Sequence, residues 1–192
     1  MSGTNAEQKS IYPGIKQQRV PRIIKWQPPE AGTFKLNCDG SCRGSERDAG
    51  AGGVIRNHKG DWICGFLLNI GKTDSFQAEL WGLRQGLLLA RDLNLSRVMV
   101  EGDSESMIKV VRSTQTSHKT ATGVLIRDCR RLLEDDRFIL FQHTLWEDNK
   151  CADMLANAAH EATKGLSILE IALEWIKQTL WEDANGLEEI RF

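Results

Sequence analysis

The feature that most restricts this fold is a change of hydrophobic period near residue 75. Before it the chain alternates. In Thr33–Asp39 the apolar Phe34, Leu36 and Cys38 interleave with Lys35, Asn37 and Asp39, the period of two that marks a half-buried strand. Gly53–Arg56 and Asp61–Asn69 flank the turn-forming Asn57-His58-Lys59-Gly60 and read as a hairpin. The Gly-rich stretch that includes Gly50, Gly52 and Gly53 joins the first strand to this hairpin. After the change, Leu80, Leu83, Leu87, Leu88 and Ala90 fall on one helical stripe within Ser75–Leu93. Gly82 and Gly86 sit inside that helix, each costing ~1 kcal/mol against Ala. Four residues apart, they share a face, and close packing against another element there would compensate.

Both periods recur downstream. Arg97–Asp103 and Phe138–His143 read as strands, and Ser104–Arg112, Ala121–Glu134 and Lys150–Ala162 as helices. Three successive strands suit an antiparallel meander, whereas strands that return through helices become parallel neighbours. The predicted class is α/β: a mixed five-stranded sheet, a three-strand antiparallel meander plus two parallel strands, flanked by helices.

The two ends differ from this middle. All four prolines lie in residues 1–31, which predicts a polar leader or linker with a short ordered piece at Val20–Trp26. Residues 32–165 form the predicted domain. In residues 166–192, Leu169, Leu173, Ile176 and Leu180 share a stripe, which predicts an amphipathic helix over Leu166–Asp183, docked on the domain or offered to a partner.

Composition excludes more than it selects. With 25 Lys+Arg against 26 Asp+Glu, any nucleic-acid binding must come from a local site. No apolar run approaches the roughly 18 residues of a bilayer span, and the polar N-terminus has no signal-peptide pattern. The expected setting is nucleus or cytoplasm, without a membrane. The five cysteines are irregularly spaced with no CxxC pair, which favours reduced thiols over a zinc site or a disulfide framework.

Four acids stand where strand ends and helix starts can meet: Asp39, Glu79, Asp103 and Asp153. Ligands of open α/β sheets bind outside strand carboxyl ends. Converging carboxylates repel one another unless a cation joins them, and hard oxygen ligands suit Mg²⁺ or Mn²⁺. Two such ions roughly 3.5–4 Å apart can activate a water and stabilise the leaving oxygen of a phosphodiester. Singly, each acid has a structural alternative. Asp39 can start a turn with Gly40, Asp103 can cap a helix, and Glu79 and Asp153 can complement helix dipoles. Spacing alone does not choose these four from the 26 acids.

Four ordered blocks carry a resemblance that does choose them. They are Phe34-Lys35-Leu36-Asn37-Cys38-Asp39-Gly40-Ser41 with the Gly50–Gly53 run, Gln77-Ala78-Glu79-Leu80-Trp81-Gly82-Leu83, Val100-Glu101-Gly102-Asp103-Ser104, and His143 followed by Asn149-Lys150-Cys151-Ala152-Asp153-Met154-Leu155-Ala156-Asn157. From about Thr33 to Lys164 the chain resembles ribonuclease H type 1, in the plant form found in retrotransposon-derived ribonuclease H proteins. The resemblance implies the ribonuclease H-like fold and an endonuclease that hydrolyses the RNA strand of RNA/DNA hybrids. It implies Asp39, Glu79, Asp103 and Asp153 as ligands of two Mg²⁺, with Mn²⁺ as substitute, and products with 5′-phosphate and 3′-hydroxyl ends. It also implies His143 as the mobile histidine that assists proton transfer or product release, and Asn149 as the asparagine of the same loop. Backbone groups around Gly40, Ser41 and Cys42, with side chains of Ser41, Ser75 and Gln77, are the implied substrate contacts. His58, His118 and His160 match nothing in the family and read as surface residues.

The pattern departs from many members in three places. Glu105 stands where a base-contacting Gln is common. Ser75-Phe76-Gln77 replaces a stretch that often holds substrate-binding Asn residues. Ser113–Thr122 lacks the Lys- and Trp-rich handle of bacterial members. Arg127, Arg130 and Arg131 are candidate phosphate contacts or a solvated helix face. The expectation is a monomer that binds hybrid weakly and salt-sensitively, aided by an additional nucleic-acid-binding domain or protein. The alternative is a ribonuclease H-fold nucleic-acid-binding or interaction module with little or no autonomous catalysis. A third reading is an integrase or exonuclease of the same fold superfamily.

Overall fold

A computed structural model describes residues 26–45, 47–114 and 120–186, together with the strand backbones at 22–24 and 189–191. The alternation that begins at Phe34 becomes the central strand. In chain order the elements are β1 (Arg22–Ile24), β2 (Phe34–Arg43), β3 (Asp48–Arg56), β4 (Trp62–Lys72), α1 (Ser75–Asp92), β5 (Val98–Gly102), α2 (Glu105–Arg112), α3 (Ala121–Leu133), β6 (Phe138–His143), α4 (Lys150–Ala158), β7 (Gly165–Leu169), α5 (Lys177–Ala184) and β8 (Glu189–Arg191). Short 3₁₀ turns precede α4, follow it, and precede α5.

The main sheet runs β6-β5-β2-β3-β4-β7. β2, β3 and β4 form the expected antiparallel meander, and β5 and β6 join it as parallel strands. The sheet has six strands rather than five. The sixth, β7, pairs antiparallel with Gly65–Leu68 of β4, covering what would otherwise be a bare edge. The expected continuous helix over Leu166–Asp183 is therefore a strand, a 3₁₀ turn and the short α5. Gly165, at φ +102°, turns the chain into β7 with a conformation open mainly to glycine. The apolar stripe still reports burial: Leu169, Ile176 and Leu180 all pack into one cluster on the sheet.

Two further expectations change. The first strand does not end at Asp39 but continues to Arg43, paired with β3 residue for residue from Lys35↔Arg56 to Arg43↔Asp48. The Gly-rich stretch is thus strand rather than connection. It lacks side chains because α4 lies directly on it. A Cβ on Gly52 would collide with the Ala156 and Leu155 backbone, and one on Gly50 would lie 2.7 Å from the Ala156 carbonyl oxygen. The glycine pair in α1 has the expected close neighbour. A Cβ on Gly82 would lie 2.6 Å from the Asp39 carbonyl oxygen, and one on Gly86 2.7 Å from Leu36 Cδ1.

One face of the sheet carries α1, α2 and α3 over an apolar cluster that includes Leu36, Ile55, Phe66, Leu83, Met107 and Leu125. The opposite face carries α4 and the C-terminal segment over a smaller cluster with Val54, Leu155 and Ile176. Capping sets the helix starts: Asp74, Ser104 and Thr120 each accept a backbone N–H from the first turn of α1, α2 and α3. β1 pairs antiparallel with β8 in a separate two-stranded sheet. Of the expected N-terminal ordered piece, Val20, Pro21 and Lys25 lie outside the described residues, Arg22–Ile24 form β1, and Trp26 is buried. Among the described residues no helix is long and apolar enough to cross a membrane.

Candidate functional site

The parallel ladder between β2 and β5 ends at Asn37↔Glu101. Beyond it β2 runs on with β3 on one side only. Asp39 lies on this newly open edge, and Asp103 follows the last residue of β5. Glu79 comes in from α1, whose backbone approaches β2 so closely that a Cβ on Gly40 would collide with Ala78 and Glu79. One carboxylate oxygen from each of Asp39, Glu79 and Asp103 lies within 4.8 Å of the others. The structural alternatives for these three are already filled or absent. Asp74 caps α1, which has no acid in its first turn, and Ser104 caps α2. Asp39 sits in mid-strand rather than a turn.

The cluster is electrostatically strained. Burial, then repulsion from Asp103 and Asp153, pushes the Asp39 carboxyl up to about 8. Burial, then Asp39 and Asp103, pushes Glu79 up to about 9. Glu79 Oε2 is buried without a hydrogen-bond partner, and so is Asn149 Oδ1. The Asn149 amide donates to the Cys38 carbonyl at 3.1 Å and to Asp103 Oδ1 at 3.4 Å, so this asparagine ties the start of α4 to both strands.

Asp153 stands outside the tight group of three. It lies in the first turn of α4 and is exposed. Burial of its carboxyl and the Asp103 charge raise its pKa, and a hydrogen bond from Asn157 opposes them. His143, exposed at the end of β6, has Nε2 3.0 Å from the Asp103 carbonyl oxygen. Five of the residues named from sequence therefore meet at one sheet edge, with Asp153 at its rim.

The remaining candidates are more dispersed. Ser75 is exposed at the start of α1, a turn before Glu79, and the Gln77 amide donates to Asp74 at 3.1 Å. Cys42 Sγ donates to the Thr73 carbonyl at 3.5 Å. Ser41 Oγ donates to Asn157 Oδ1 at 3.0 Å. Glu105 is paired with Lys109 at 2.7 Å, so its charge is partly answered. Arg130, half-buried, donates to the Val110 and Val111 carbonyls at the end of α2. His118 lies outside the described residues.

His160 is not a surface residue. Its side chain is 2% exposed, with Nδ1 3.2 Å from Asp48 Oδ2 and Nε2 3.2 Å from Ser41 Oγ. The signal lay in its spacing: Asp153, Asn157 and His160 follow one another by four and three residues, which places them on one helical face.

Residues 37–159 match the family described as reverse transcriptase-like. The chain is 37% identical over 181 residues to the "Putative ribonuclease H protein" of Arabidopsis thaliana, covering 94% of this chain and 29% of that protein. The chain thus spans less than a third of that relative's length. Among solved structures, RNase H1 of the archaeon Halobacterium salinarum superposes with a TM-score of 0.60 at 25% identity, covering 67% of this chain and 98% of that one. LC11-RNase H1, isolated from compost by a metagenomic approach and solved in complex with an RNA/DNA hybrid, gives a TM-score of 0.60 at 25% identity over 67% of this chain and 97% of its own.

Proposed function

The chain belongs to the reverse transcriptase-like ribonuclease H family, and we propose that it is an endonuclease hydrolysing the RNA strand of RNA/DNA hybrids. The convergence of Asp39, Glu79 and Asp103 within 4.8 Å carries the reading. Three carboxylates held that closely, two of them buried enough to retain protons, form a site whose charge is incomplete. The donor set fits a divalent cation: every group offers hard oxygen, which suits Mg²⁺ with Mn²⁺ as substitute. Glu79 Oε2 has no other partner.

In this reading Asp39, Glu79, Asp103 and Asp153 hold two ions. When bound, these supply charge neutralisation for the attacking and leaving oxygens of an in-line displacement. The chain's own residues do the rest. Asn149 fixes the Asp103 carboxylate relative to β2. His143, anchored through one ring nitrogen and otherwise exposed, moves a proton at the departing 3′-oxygen, leaving 3′-hydroxyl and 5′-phosphate ends. Past Asn37 alternate backbone groups of β2 face the side that β5 has vacated. Gly40, Ser41 and Cys42 there meet the 2′-hydroxyls of the RNA strand. Ser75, Gln77 and Asn149 complete the contacts. Residues 32–165 form the catalytic domain of a monomer, and a further nucleic-acid-binding domain or protein strengthens its grip.

The test is incubation with labelled RNA/DNA hybrid, double-stranded RNA and double-stranded DNA at low salt, with Mg²⁺, Mn²⁺ or chelator. Cleavage of the hybrid's RNA strand alone, dependent on metal and reduced at least about 10²-fold in Asp39→Asn, is the expected result. A folded chain that binds hybrid and never cuts it would establish the binding module instead. Cutting of DNA duplex would move the chain to another activity of this fold.

A further inference from the structure

Asp153 poses a problem that the other acids do not. Asp39 is buried, and Glu79 and Asp103 are half-buried, whereas Asp153 is exposed on the first turn of a helix. An exposed Asp side chain explores several rotamers, and holding one of them must come from a neighbour. That neighbour is Asn157, one turn on. Its amide donates to both the carbonyl and Oδ1 of Asp153, at 3.0 and 2.9 Å.

Asn157 is itself held from behind. Its Oδ1 accepts from Ser41 Oγ at 3.0 Å and from Arg43 Nη2 at 3.4 Å, and Arg43 also donates to the Asn157 carbonyl at 3.0 Å. This pattern fixes which way the amide points. Rotated by half a turn, its NH₂ would face the Arg43 guanidinium and its oxygen the Asp153 carboxylate and carbonyl, so the side-chain bonds to Arg43 and Asp153 would fail. Ser41 then has one hydroxyl proton, and it goes to Asn157. The remaining contact, His160 Nε2 at 3.2 Å, is an N–H donated into the Ser41 oxygen. On the far side of the ring Asp48 Oδ2 lies 3.2 Å from Nδ1 and accepts there when both ring nitrogens carry a proton. The result is one continuous chain, Asp48–His160–Ser41–Asn157–Asp153, crossing from β3 through the end of α4 to β2 and back to α4.

We propose that His160 is a positioning residue for Asp153, acting through Ser41 and Asn157 to hold the one rim carboxylate in the orientation that completes the metal site. The proposal rests on the reading of Asp153 as a metal ligand. It also gives Ser41 a second role: its backbone faces substrate while its hydroxyl serves the chain. Partners that orient metal ligands typically contribute 10–100-fold to metal affinity, and that is the size of effect assigned to His160.

The test measures Mn²⁺ binding by isothermal titration, and hybrid cleavage as a function of metal concentration. The proteins are the wild-type chain, His160→Ala, His160→Gln, Asn157→Ala and the double variant His160→Ala/Asn157→Ala. The Asn157 side-chain amide resonance is followed in the metal-free proteins. Each single Ala variant should weaken metal binding about 10–100-fold, with cleavage recovering towards wild type at saturating metal and KM for hybrid unchanged. His160→Gln, which keeps a donor towards Ser41, should regain most of the loss. The double variant should bind no worse than the weaker single, because both break the same chain. His160→Ala should shift the Asn157 amide resonance before any metal is added. If His160→Ala does not fold, His160→Gln and the half-buried Asn157→Ala carry the same comparison. Additive losses, or an unchanged metal midpoint in His160→Ala, overturn the proposal while leaving the nuclease reading intact. A wild-type chain that binds no metal and cuts no hybrid overturns both.

Discussion

The two faces of β2 are built on opposite principles. Leu36 and Cys38 point to the side of α1, α2 and α3 and join a large apolar cluster. Their neighbours Lys35, Asn37 and Asp39 point the other way and are also buried. Lys35 pairs with Glu101 at 2.9 Å, both about 5% exposed or less. Asn37 Oδ1 accepts from Trp26 Nε1 at 3.1 Å and Arg56 at 2.9 Å. Arg56, fully buried, stacks on the Trp26 ring at 3.9 Å and pairs with Asp183 of α5 at 2.5 Å. An apolar row tolerates any neighbour of the right shape. A polar row is stable only while each group has its partner. The polar row ends at Asp39, whose neighbours are the carboxylates of Glu79 and Asp103; in the function proposed above, a cation would be its partner.

The largest difference should appear in metal-free protein as pH rises. In the unfolded chain Asp39 and Glu79 titrate near 4. In the folded chain they hold their protons up to about 8 and about 9. Between these limits the folded state binds protons that the unfolded state has released, so stability falls as pH rises. One such group contributes at most about 4 kcal/mol of loss over three pH units. Chemical denaturation of the metal-free chain at pH 5.5 and 8.5 should show the decline. Asp39→Asn or added Mg²⁺ should flatten it. Leu36→Met, on the apolar face, should leave the slope untouched. A wild-type slope no steeper than that of Asp39→Asn would mean the site is not strained.

Breaking the polar row elsewhere should be nearly as damaging. Arg56→Ala removes the charged partner of Asp183 and one of the two donors to Asn37 Oδ1, and a broken buried pair costs about 3–5 kcal/mol. Replacing both partners, Arg56→Met with Asp183→Leu, should regain most of that loss in urea denaturation. On the other face Leu36→Ala should cost about 2–5 kcal/mol. There Leu36→Met alone should suffice for recovery, to within about 1.5 kcal/mol. A polar face that tolerated Arg56→Met alone would erase the distinction.

This asymmetry also explains what the sequence showed and what it hid. The apolar face announces itself through period: α1 was legible from its Leu stripe, β5 from Val98 and Val100, and β2 from the alternation of Phe34, Leu36 and Cys38. The ends of β2 and β3 were not. From Gly40 to Arg43 and from Ala49 to Gly53 the residues are small or polar, since α1 and α4 press on the backbone there. β7 was hidden because the stripe from Leu169 to Leu180 reports a buried side without reporting its backbone. At the site, periodicity gave no reason to prefer Asp39 or Glu79; local blocks resembling a known family did. Trp26 and Arg56 were placed only as the ends of an ordered piece and a strand, and His160 read as a surface residue, because a buried Arg or His looks like an exposed one until its partners, distant in sequence, are in place.

The smallest effect should come from the residue that joins the two faces. Gly82 lies in α1 on the apolar side, yet a methyl group there would meet the Asp39 carbonyl oxygen at 2.6 Å. In an open helix Gly82→Ala would stabilise by about 1 kcal/mol. Here it must push β2 away, and such overpacking costs about 1–3 kcal/mol. The net loss should be only about 0–2 kcal/mol, below that of Leu36→Ala. Its effect on metal binding should nonetheless exceed that of Leu36→Ala, because the displaced atom belongs to Asp39 itself. Titrating Mn²⁺ into both variants under conditions where each is folded makes the comparison. If Gly82→Ala weakens binding less than Leu36→Ala does, the close approach of α1 to β2 serves packing alone. If it weakens binding more, helix and strand are held at that distance so that Glu79 and Asp39 can share a ligand.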